Sequence, residues 1–172
     1  MTILPIKTFG APVLREPTRP VERFDKELAR LAEDLLETMY DAPGVGLAAT
    51  QVGMSLRFFV YDDGEHGAAA LANMEIVSAE EDLEIDEGCL SVPGLWFPVR
   101  RADRVRVRGL DLSGEPVELE GEGLLARILQ HETDHVDGML YLDRLSEEHR
   151  RQAMQQLRDR ELNGAERRSS VP

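Results

Sequence analysis

The sequence predicts an α+β fold: short antiparallel or mixed strands packed around a central helix, with one helix in the N-terminal half and one at the C-terminus. Three observations carry this. Two segments, Asp25–Ala42 and Gly123–Val136, have helical apolar spacing; short extended runs lie between them; and no internal repeat or interdomain linker divides the 172 residues.

In the first helix Leu28, Leu31, Ala32, Leu35, Leu36 and Met39 follow the i, i+3, i+4 pattern. Asp25 is placed to cap it, and Pro43-Gly44 ends it. Leu56–Tyr61 is an apolar, aromatic strand, and Ala68–Ala79 and Asp82–Asp86 are extended. Val105 and Val107 alternate with Arg104, Arg106 and Arg108, a half-exposed strand, and Pro116–Glu120 alternates likewise. Leu124, Leu125, Ile128 and Leu129 give the second helix a broad apolar surface. A third helix is expected over Ser146–Leu162. Its apolar face (Ala153, Met154, Leu157) is thin, so it should dock weakly. Residues 1–162 are read as one domain and 163–172 as a disordered tail.

Composition narrows the function classes. No apolar run approaches the roughly 20 residues of a membrane span. The N-terminus lacks a basic then apolar signal pattern, and the single cysteine, Cys89, has no internal disulfide partner. Together these point to the cytoplasm. The net charge of −13 argues against a sequence-specific nucleic-acid binder. The charge is uneven: residues 1–148 carry −16, whereas 149–172 carry +3.

The chemistry concentrates in three motifs. Gln130-His131-Glu132-Thr133-Asp134-His135 sets two imidazoles four residues apart on a helix, so both can grip one metal ion, and leaves Glu132 free to face a water held there. Of four histidines two fall here; His66 and His149 read as solvated. Glu87-Gly88-Cys89-Leu90-Ser91 offers a thiolate where the backbone can approach closely. Cys, His and His form a catalytic metal trio with a position to spare. The thiolate leaves a site charge of about +1, making a milder Lewis acid that needs further help at the oxyanion. Gly44-Val45-Gly46-Leu47-Ala48-Ala49-Thr50-Gln51 mimics a dinucleotide fingerprint. It follows a helix and leaves no room for a crossover helix, so it is a small-residue loop ending in an amide donor.

These motifs, in this order, resemble those of the bacterial peptide deformylases: G-x-G-x-A-A-x-Q, then E-G-C-L-S, then Q-H-E-x-D-H. The opening Gly10–Arg15 is similar too, and the likeness runs from about Ile3 to about Leu145. The resemblance implies Cys89, His131 and His135 as metal ligands. It implies Glu132 as general base then acid, Gln51 and the Leu90 N–H as oxyanion donors, and Gly46 as a backbone contact to substrate. Val45, Ile85, Leu124, Ile128 and the His131 ring would line a methionine pocket, and Glu87 and Arg101 would pair beside the ligating cysteine. The implied activity is hydrolysis of the formyl group from formyl-methionyl nascent peptides, with Fe(II) as the native ion and Zn, Ni or Co as substitutes. Met74 stands after Asn73 where many members have proline, and Arg127 sits beside the pocket positions. Trp96 and Phe97 are placed at the mouth. A zincin-type peptidase shares the His-Glu-His helix but would complete its site with His or Glu; a non-catalytic binding module is the other rival. Arg150, Arg151, Arg158 and Arg160 offer the last helix a possible contact to ribosomal RNA.

Overall fold

A computed structural model describes residues 2–169. Five strands, β1 (Gly46–Ala48), β2 (Phe58–Tyr61), β3 (Ala69–Cys89), β4 (Val92–Leu110) and β5 (Pro116–Glu122), form one antiparallel sheet in sequence order. Three helices accompany it: α1 (Lys26–Asp41), α2 (Gly123–Val136) and α3 (Glu147–Ser169). The fold is thus α+β, and no helix is long and apolar enough to cross a membrane.

The sheet lies between two helices. Leu28, Leu35 and Met39 of α1 pack on Leu47, Phe58 and Val60. Leu125, Ile128 and Leu129 of α2 pack on the opposite face with Phe59, Tyr61 and Val107. Alternation along β2 therefore sends Phe58 and Val60 one way and Phe59 and Tyr61 the other, so all four residues are buried. A third cluster joins Val92, Leu95 and Phe97 of β4 to Leu140, Tyr141 and Leu142, the segment after α2.

Local signals place α1 well: the Asp25 carboxylate accepts from the N–H groups of Glu27 (3.0 Å) and Leu28 (3.3 Å). The strands depart from expectation. All sheet pairing is antiparallel, the one parallel contact among the described residues being an isolated bridge between Arg19 and Leu56. β3 and β4 are not short but run 21 and 19 residues. Register shifts near Asn73, Val77 and Gly88 bend this ribbon, and Arg100–Asp82 (2.9 Å) pairs charges across it. Gly46–Ala48, read as loop, is an edge strand. Helix α3 continues to Ser169, past the expected start of the tail at 163. Residues 170–172 lie outside the described residues.

Candidate metal centre and cavity

The ribbon closes where Cys89 pairs with Val92, leaving Leu90-Ser91 as a two-residue turn. Cys89 thus stands at the ribbon's end, facing α2. One ligand atom each from Cys89, His131 and His135 lies within 4.8 Å of the others, and Cys89 Sγ is 3.2 Å from His135 Nε2. A soft thiolate with two imidazoles suits Zn, Fe(II), Co or Ni, so this donor set fits one divalent ion.

The partners of each ligand fix its state. His131 Nδ1 donates to Glu87 Oε1 at 2.5 Å; burial opposes protonation of the ring, yet bonds to Cys89 and Glu87 raise its pKa, and Nε2 is the nitrogen that would turn to an ion. Burial opposes ionisation of Glu87, yet hydrogen bonds from His131 and Arg101 outweigh it and hold the carboxyl at about 2. Arg101 grips Glu87 through Nη2 at 2.7 Å and Nε at 3.0 Å, and donates through Nη1 to Asp134 at 2.7 Å. Arg144 closes the chain on the other Asp134 oxygen at 2.6 Å. Burial drives the His135 pKa down, keeping that ring neutral.

Glu132 sits between the ligands on α2, 3% exposed, and its Oε2 has no hydrogen-bond partner. Burial is the largest influence on it and pushes its pKa up to about 7, against the pull of His131 and Arg101. A carboxyl poised there can both take and return a proton near neutrality. Gly46 of β1 passes so close that a Cβ there would collide with Glu132 Oε1, so any larger residue would have to displace that carboxylate. Gln51, in a 3-10 turn after β1, accepts from the Ala48 N–H at 2.8 Å through Oε1. That turns Nε2 towards Ser91 Oγ (3.2 Å) and Cys89 Sγ (3.8 Å).

These groups share a cavity of about 510 Å³. Its wall includes Val45, Gly46, Leu90, Leu124 and Ile128 with His131 and Glu132. Ile85 does not line it. That residue pairs with Val99 further down the ribbon, away from the turn that carries Cys89. Trp96 does line the cavity, its ring laid over Gly88 and 68% exposed. Phe97 does not, because alternation sends it to the other side of β4, where it is buried with its ring 5.8 Å from His149. His149 is therefore half-covered and not freely solvated; His66 is exposed and bonded to Asp63.

Asp134, Arg144 and Ser91 were not singled out from the sequence. Asp134 lies inside the histidine tract and Ser91 inside the cysteine tract, so membership of a motif was the available signal. Arg144 had none, since its link to Asp134 exists only in the fold.

A family model described as polypeptide deformylase matches residues 3–151. A protein named peptide deformylase from Acidothermus cellulolyticus is 56% identical over 165 residues, covering 95% of this chain and 91% of that one. Among solved structures, a peptide deformylase from Legionella pneumophila superposes with a TM-score of 0.88 at 44% identity, covering 99% of this chain and all of that one. One from Thermus thermophilus gives a TM-score of 0.87 at 46% identity, covering 91% and 94%.

Proposed function

This chain belongs to the polypeptide deformylase family, and from that premise we propose how its residues divide the work. The activity is metal-dependent hydrolysis of the N-terminal formyl group from formyl-methionyl peptides. In our reading α2 is the central metal-binding helix, and Cys89, His131 and His135 hold the ion. Once bound, the ion acts as a Lewis acid and acidifies a water.

The remaining steps belong to the protein. Glu132 takes the proton as water attacks the formyl carbon. The amide N–H of Gln51 and the backbone N–H of Leu90 meet the charge that develops on the formyl oxygen. Glu132 then returns the proton to the departing amine, freeing formate. Val45, Leu124, Ile128 and the His131 ring take the methionine side chain, and Gly46 offers its backbone to the peptide. Trp96 lies over the residues that follow. Glu87 and Arg101 fix the His131 tautomer and ring. One observation supports this division above all: Glu132, with a buried oxygen that has no partner among the described residues, lines the cavity beside Cys89 and His131, whose ligand atoms lie within 4.8 Å of that of His135.

The family likeness favours Fe(II) as the native ion, and the donor set admits it alongside Zn, Co or Ni. The absence of a membrane-crossing helix fits action on nascent chains in the cytoplasm. Contact with the ribosome would use the basic side of α3, where Arg150 and Arg151 are exposed. Salt-sensitive co-sedimentation with ribosomes that survives removal of residues 149–172 would exclude that surface. The site itself is tested by metal analysis and a formyl-Met-Ala-Ser assay on anaerobically purified protein. We expect one iron per chain and formate release that decays in air; equal half-lives with and without oxygen would argue for zinc.

A further inference from the structure

Arg127 is out of place on the wall of an otherwise mainly apolar cavity. It is half-buried, and its one polar contact among the described residues is a long bond from Nε to the Gly123 carbonyl at 3.4 Å. Among the described residues no carboxylate lies within ion-pair distance of it. By contrast, the buried Arg101 holds Glu87 and Asp134, and Arg144 holds Asp134. None of the cavity's own acids pairs with it: Glu87 is held by Arg101 and His131, Glu132 faces the reacting end, and Asp86 is exposed and makes no ion pair with it among the described residues. A guanidinium partly withdrawn from water without a counter-ion is a site for an anion brought by the ligand.

We propose that Arg127 is a specificity-determining residue, favouring formyl-methionyl peptides that carry an acidic side chain two residues after the methionine. The inference rests on the cavity's role as the methionine site. Arg127 is one helical turn before His131 and so shares its face of α2, about 6 Å nearer the helix N-terminus. Next to this face runs β1, an edge strand with one side open to a further strand. A peptide lying extended along it alternates its side chains. The first and third then point to the same wall, roughly 6.6 Å apart, and the second points away. With methionine against Ile128 and His131, the third side chain is the one that meets Arg127.

The test uses four amidated peptides, so that no terminal carboxylate competes: formyl-Met-Ala-Glu, formyl-Met-Ala-Gln, formyl-Met-Glu-Ala and formyl-Met-Gln-Ala. For a partly exposed ion pair the third-position Glu/Gln ratio of kcat/KM should be about three to five, carried by KM and reduced by salt. The second-position ratio should be near one. In Arg127→Met, which keeps the apolar stem, the third-position ratio should fall to near one; Arg127→Lys should keep part of it. Each ratio is taken within one preparation, so partial misfolding does not alter it. A third-position ratio of one in the wild type, its survival in Arg127→Met, or a larger ratio at the second position would overturn the proposal. Turnover of the glutamine peptides alongside any of these would leave the deformylase reading standing. Failure of the wild type on all four would overturn that reading, and the proposal with it.

Discussion

Helices α2 and α3 are both rich in polar residues, but they use them in opposite ways. In α2, ten of fourteen residues are buried, among them Gln130, Glu132, Asp134 and His135. Gln130 spans β4, accepting from the Ala102 N–H at 3.0 Å and donating to its carbonyl at 2.8 Å. Asp134 is held by two arginines from different elements. In α3 the buried residue among described side chains is Ala153; Gln152–Glu148 and Gln155–Asp159 stay within the helix, four residues apart, and the contacts that leave it, Arg160 to the Pro93 and Gly94 carbonyls and Arg150 to Asp143, are exposed. Buried polar groups demand partners and are costly to orphan, whereas exposed ones exchange protein for water at little net cost. Position, and not polar content, decides which helix can carry a site.

The contrast breaks first, if it is wrong, at Arg101. Arg101→Met removes the cation between Glu87 and Asp134 while filling its space. Glu87 would keep only His131 and Asp134 only Arg144, and loss of the buried cation between them should cost about 3–5 kcal/mol, which lowers Tm by roughly 10 °C in a domain of this size. A Tm within 2 °C of the wild type would show that the buried network bears no weight.

Gln51→Ala comes next. Metal should stay bound, while turnover of formyl-Met-Ala-Ser falls by about 10²–10³, the usual loss for one oxyanion donor. Near-normal turnover would remove Gln51 from the oxyanion role. The smallest effect belongs to α3. Gln155→Ala with Arg158→Ala should change stability by no more than about 0.5 kcal/mol, a Tm shift of about 1–2 °C. A loss matching that of Arg101→Met would erase the difference between the helices.

How much could be read from the chain follows the same division between local and distant causes. The bounds of α1 and α2 were plain because the Asp25 cap, Pro43-Gly44 and the apolar spacing are local signals. Strand β1 was not, since three small residues become a strand only by pairing with Phe59, Val60 and Tyr61. The long ribbon was read as separate pieces because its outer half is charged and becomes strand only by pairing β3 with β4. Within the site, motifs marked Cys89, His131, Glu132, His135 and Gln51. Phe97 was misplaced because strand facing is settled by tertiary packing. The Arg144–Asp134 link was invisible for the same reason; Arg127 was marked in the sequence as a neighbour of the pocket positions, but its lack of a counter-ion shows only in the fold.

The central claim is that Glu132 moves the proton while Cys89, His131 and His135 hold the ion. It is tested most directly by measuring formate release from formyl-Met-Ala-Ser by Glu132→Ala protein whose metal content has been determined on the same anaerobic sample. The account predicts about one ion per chain and formate release close to the uncatalysed rate. Full metal occupancy with wild-type release would contradict it.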